Sequence, residues 1–169
     1  IMSIYFGADD TVIHSADGLG GGKILQVVQS ISTSQVTTTE SNYQTAPTNT
    51  NLNATLTPAS SSNKVLVNID ANFSGSGCRI NPVLIRNSTD ISFGVSNEGL
   101  MDYGMFRDGN NSFRFSFMYL DSPSTTSAMT YKLYFSRHGG SGTATFNKSQ
   151  DSGQKSVSTI TLMEVSAWA

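Results

Sequence analysis

The chain has 169 residues, 13% of them charged, and a formal net charge of −2. Its 10 Lys and Arg residues are dispersed, so no basic patch exists to neutralise several phosphates together, which excludes sequence-independent nucleic-acid binding. No apolar run approaches a membrane span, the start lacks the regions of a signal peptide, and a lone cysteine, Cys78, forbids an intrachain disulfide.

Ser, Thr and Asn fill about a third of the chain, and charge falls well below the usual quarter. Short apolar runs between frequent turn residues are the profile of an all-β protein with an uncharged polar surface. Residues 1–22 read as a separate N-terminal attachment segment. Ile4, Tyr5 and Phe6 form a short apolar piece, and residues 9–15 form a second short strand. Gly18, Gly20, Gly21 and Gly22 then break regular structure and act as a hinge. The domain proper is 23–169.

Strands are expected at 23–31, 35–41 and 52–57, the last ending at Pro58 before a serine-rich turn at 59–63. Residues 64–73 alternate cleanly. Val65, Val67, Ile69, Ala71 and Phe73 share one face, opposite Asn68, Asp70 and Asn72, as in a strand with one wet face. Residues 75–77 read as a loop, 78–86 as a strand, and Asn87 with Ser88 as a turn into 89–95. Residues 96–111 break the pattern. In the next strand Phe113, Phe115, Phe117 and Tyr119 lie on one face, with Met118 and Leu120 on the other. Residues 128–137 form a strand, 138–142 a flexible loop, 143–147 a short strand, 149–155 a turn and 157–167 the closing strand. About nine short strands and no helical periodicity predict an antiparallel β-sandwich or jelly roll, with strand order left open.

The last strand is apolar on both faces: Ile160 and Leu162 on one, Met163 and Val165 on the other. A sheet with one wet face should not show this. Either a bulge shifts the phase, or the second face packs a neighbouring subunit, which Met118 and Leu120 also suggest.

Catalytic constellations are missing. Gly22 and Lys23 lack the preceding glycine and following Ser or Thr of a phosphate loop. His14 and His138 have no partners at metal-site spacing, so no metal and no cofactor is expected. No nucleophile elbow occurs, and Asp102, Asp108 and Glu164 are the only carboxylates placed to suggest glycoside cleavage. The chain is not expected to be an enzyme. Residues 97–111 are instead the candidate binding segment. Tyr103, Met105, Phe106 and Arg107 are residue types that concentrate at recognition surfaces, set among glycines. Filling the core or a subunit axis is the competing role for Met101, Met105 and Phe106. His138 joins the candidates because it opens a glycine-rich loop.

Residues 119–135, YLDSPSTTSAMTYKLYF, resemble a segment near the end of small β-rich domains in bacteriophage tail fibres. Residues 22–29 (GKILQVVQ), 56–67 (LTPASSSNKVLV) and 158–165 (STITLMEV) fit the same family in order. Residues 1–21 fall outside the match. The resemblance implies a trimeric virion protein, assembled in the bacterial host cytoplasm, that adheres to a host surface glycan or receptor. On that reading Ile4, Tyr5 and Phe6 attach the chain to other virion proteins, and Tyr103, Met105, Phe106, Arg107 and His138 meet the receptor. A capsid decoration or head-fibre protein is the alternative, since the chain reads as complete from Met2 and short for a fibre. A lectin-like module is a third reading.

Overall fold

The computed structural model describes residues 5–6, 12–13, 22–41, 47–92, 110–148 and 155–167. Near the N-terminus, β1 (Tyr5–Phe6) and β2 (Val12–Ile13) pair antiparallel. The other eight strands form one antiparallel sheet: β3 (Ile24–Ser32), β4 (Val36–Thr38), β5 (Thr48–Leu56), β6 (Lys64–Arg86), β7 (Thr89–Asp90), β8 (Asn110–Asp121), β9 (Met129–Phe146) and β10 (Ser158–Val165). The fold is all-β, a curled sheet of the sandwich or jelly-roll type.

β6 is the spine. β8 runs along one of its edges, from Val65 opposite Asp121 to Ser76 opposite Asn110. The other edge is shared in succession by β10, which pairs Lys64 to Asp70, and β9, which pairs Phe73 to Arg86. The first half of β6 therefore belongs to a β3–β10–β6–β8 layer, and its second half to a layer with β9, β5 and β7. At the changeover the Asn72 backbone finds substitute partners. Its N–H donates to Ser158 Oγ at 2.9 Å, and its carbonyl accepts from Asn147 N–H at 2.9 Å. Asn147 is fully buried with a left-handed backbone (φ 55°). Its side chain accepts from Ser158 Oγ at 2.5 Å and donates to Ser32 O at 2.8 Å, tying β3, β6 and β10 together at one point.

Two stretches expected as loops are strand. Residues 75–77 lie inside β6 and residues 138–142 inside β9, facing each other in a double bulge between Ser76 opposite Thr143 and Arg79 opposite His138. Gly77, Gly139 and Gly140 have φ of 63°, 60° and 72°. The ribbon bends here, and the backbones close to a separation that only glycine permits. A Cβ on Gly142 would overlap the Ser76 carbonyl oxygen, and one on Gly140 the Gly77 carbonyl oxygen. Glycine density that signals a loop in one strand becomes a paired corner once its partner is in place.

The expected inward faces hold. Val65, Val67, Ile69, Ala71 and Phe73 are buried, as are Phe113 and Phe115, while Phe117 packs partly buried against the same core. Phe73 sits at the crossing, with ring centroids 5.5–6.3 Å from those of Phe113, Phe115, Phe135 and Phe146. Asn87 turns β6 into β7 through a left-handed residue, as the Asn-Ser turn predicts. β7 is shorter than expected, two residues, and β5 longer, starting at Thr48.

Two buried carboxylates are fully engaged. Asp121 accepts from Arg86 Nη1 at 2.6 Å and from the buried Tyr131 hydroxyl at 2.6 Å. Burial and the Asp121 contact raise the Tyr131 hydroxyl above its usual range. Glu164, 0% exposed, accepts from Asn63 Nδ2 at 2.5 Å, Ala59 N–H at 2.7 Å and Gln26 Nε2 at 2.6 Å. Burial alone pushes its carboxyl up. Hydrogen bonds from Gln26, Asn63 and the backbone of Ala59 and Ser60 outweigh that and hold it below the ordinary glutamate range. Glu164 is thus a latch between β10 and the 57–63 turn, buried from solvent.

Candidate functional site: an apolar sheet face and a polar cleft

The last strand keeps its phase. Its register with β6 is unbroken from Thr159 opposite Asp70 to Val165 opposite Lys64, with Ile160, Leu162 and Glu164 all inward. The irregularity lies on the β3 side, where Glu164 pairs Gln26 and Val165 pairs Ile24, so that Leu25 is skipped. The apolar residues of the opposite face therefore point away from the core. Register lines them up across four strands: Val27 beside Met163, Met163 beside Leu66, Leu66 beside Leu120. Val27 in this row and Met118 in the next are 58% and 63% exposed, while the exposed Ile31 stands apart, beyond Gln29, Thr161 and Asn68 and level with Asp70. Polar groups close the band at both ends. Arg114 holds Asp70 at 2.5 Å on one side, and Lys64 Nζ donates to Ser122 Oγ at 2.8 Å on the other. A contiguous apolar face with a polar rim marks an interaction surface rather than scattered exposure.

A second feature lies where β4, β6 and β9 meet. Thr37 pairs Thr145, and Ser74 pairs Thr145 on its other side, while Ser76 pairs Thr143. These hydroxyls, with Gln35 and Lys148, line a cleft of about 400 Å³. Thr37 Oγ1 and Thr145 Oγ1 are 3.3 Å apart. Strand alternation explains the lining: Phe73, Ala144 and Phe146 point to the core, so Ser74, Thr143 and Thr145 point to the opposite face.

Of the residues selected from sequence, His138 is half-buried in β9 opposite Arg79, at the glycine corner and not in a flexible loop. The adjacent pair Asn81 and Ser136 is buried, with Asn81 Oδ1 and Ser136 Oγ lacking hydrogen-bond partners. Tyr103, Met105, Phe106 and Arg107 lie outside the described residues, as do Asp102, Asp108 and Ile4. Tyr5 and Phe6 form β1. The segment that carries the aromatic candidates rejoins the sheet at Asn110, opposite Ser76 of the cleft wall. Sequence reasoning missed the cleft, because single Ser and Thr residues carry no signal in a chain so rich in both.

No protein-family model and no curated protein matches the sequence. A chain in the solved structure of infectious bursal disease virus, Gt strain, is similar over 99% of this chain and 43% of its own length, at 14% identity and a TM-score of 0.36. This chain thus spans less than half of that one. A likeness of that size assigns neither fold nor function.

Proposed function

We propose that the chain is a bacteriophage virion protein, the homotrimeric tip of a short tail fibre, that adheres to host surface glycans without cleaving them. The observation that carries this reading is the apolar row Val27, Met163, Leu66 and Leu120 on the outer face of the β3–β10–β6–β8 layer. Copies of the same chain are its natural cover. A closed ring buries the face on every subunit, and multiple copies turn weak hydroxyl and amide contacts into durable attachment. The family resemblance supplies the virion context and the number three.

Solution mass should be about three times the 18.1 kDa chain. Val27→Lys with Met118→Lys should yield monomers of unchanged fold, because both side chains are exposed in the single subunit. A wild type that stays monodisperse at one chain mass defeats the trimer.

Labelled protein applied to a panel of bacterial strains should bind at least one saturably, and purified surface polysaccharide from that strain should compete. The same incubation should release no new reducing ends. Binding to virion capsids but to no cell surface would favour the capsid-decoration reading, and oligosaccharide release would make the protein an enzyme.

A further inference from the structure

We infer that the cleft between β4, β6 and β9 holds one anionic sugar unit: a pyranose ring bearing a single carboxylate or phosphate. This deepens the adhesion reading and rests on it for the glycan context. The floor is built for a polyol. Gln35, Thr37, Ser74, Ser76, Thr143 and Thr145 all end in a hydroxyl or an amide, and none is charged. All but Gln35, which precedes β4, stand on paired strands rather than loops, so their spacing is fixed. Ser74 and Ser76 against Thr145 and Thr143 form a grid of about 5 by 7 Å, the scale of one hydroxylated ring. A volume near 400 Å³ lies within the range of about 300–1,000 Å³ usual for small-molecule sites.

The charge on the sugar follows from the wall. Lys148 lines the cleft, and it sits directly opposite Lys155 in an isolated antiparallel bridge. Like charges facing each other across strands are unfavourable. Neither ammonium takes part in an ion pair with a described carboxylate, unlike Arg86 with Asp121 and Arg114 with Asp70. An anionic group above the hydroxyl floor would relieve that repulsion and accept charge-assisted hydrogen bonds from Lys148. Two lysines with no aromatic side chain among the described lining residues do not suit a nucleic-acid strand, and an uncharged polar lining does not suit an apolar ligand.

The test is a titration of the isotopically labelled full chain, following backbone amide shifts, with four probes: glucuronate, glucose 6-phosphate, glucose and inorganic phosphate. Glucuronate or glucose 6-phosphate should give saturable shifts at Ser74, Ser76, Thr143 and Thr145, and which of the two does so separates a carboxylate from a phosphate source. Glucose should bind about tenfold more weakly, as should the charged sugar to Lys148→Gln, given the strength of a charged hydrogen bond. Thr143→Val, which keeps the side-chain shape, should weaken binding while leaving shifts elsewhere in the sheet unchanged. Inorganic phosphate binding as tightly as glucose 6-phosphate would overturn the sugar site in favour of a plain anion site. No saturable shift at the cleft with either charged sugar at about 10 mM, where even weak sites fill, would overturn it outright. Cell adhesion by Lys148→Gln separates the two proposals. Undiminished adhesion with an unresponsive cleft removes this site and keeps the adhesion reading. A cleft that fills with charged sugar on a protein that adheres to no cell keeps the site and removes adhesion.

Discussion

A single methyl group on Gly142 should bring the domain to the edge of unfolding. The added Cβ would occupy the space of the Ser76 carbonyl oxygen, and it would also crowd the Ser76 and Gly77 carbonyl carbons. All are backbone atoms of the neighbouring strand and cannot swing aside. Relief requires β6 and β9 to separate where the ribbon turns from one layer to the other. A loss of about 4 kcal/mol or more, at the exceptional end for point changes, is expected for Gly142→Ala. Gly139→Ala is the control. It meets nothing within 4 Å, and only its φ of 60° opposes a side chain, a cost of about 1–2 kcal/mol. Chemical denaturation of the two variants decides the matter. Equal losses at both positions would mean that the ribbon does not approach itself as described.

Glu164→Ala should lower stability by about 3 kcal/mol, because Asn63, Ala59 and Gln26 each lose an acceptor in or near the core. For a domain of this size that corresponds to a fall in Tm of about 6–12 °C. The effect should depend on pH with a definite sign. The folded carboxyl titrates below its ordinary value of 4.5. Its stabilising contribution is therefore fully present above that value and is lost as pH falls through the lower, folded one. The gap between wild type and Glu164→Ala should narrow on acidification below about pH 4.5. Thermal melts of both proteins from neutral pH downward measure it, and a gap that widens in acid would show that Glu164 is buried protonated.

Much of the sandwich is readable from residue alternation. The inward faces of 64–73 and 113–119 follow from period two, because each strand has one core face and a mismatch would bury Asn68 or Asp70. The glycine corner was not readable strand by strand. Gly75, Gly77, Gly140 and Gly142 report an approach between two backbones some 60 residues apart, and only the register of β6 with β9 reveals it. The matching Gly-Ser-Gly triplets at 75–77 and 140–142 are the one signal that could have suggested it. The apolar outer face was half legible. Met118, Leu120, Met163 and Val165 gave the hint, but Val27 and Leu66 join the row only through the pairing of β3, β10, β6 and β8. The cleft was not legible at all. Its serines and threonines come from three strands, and those two types are abundant throughout the chain.

β3 and β10, the first and last strands of the sheet, are neighbours, and their outer ends meet. Lys23 N–H donates to Ser166 Oγ and Lys23 O accepts from Ser166 N–H, both at 2.8 Å. Tension applied between these two ends would load the ladder one rung at a time and peel β3 from β10 like a zipper. Each rung is worth only about 1 kcal/mol net, so the domain is mechanically weak in that direction. Tension that enters at Lys23 and leaves through the outer face of the layer would instead load many rungs of the β3–β10–β6–β8 ladder together. A molecule anchored in that way would hold against shear that strips away one hung between its own two ends.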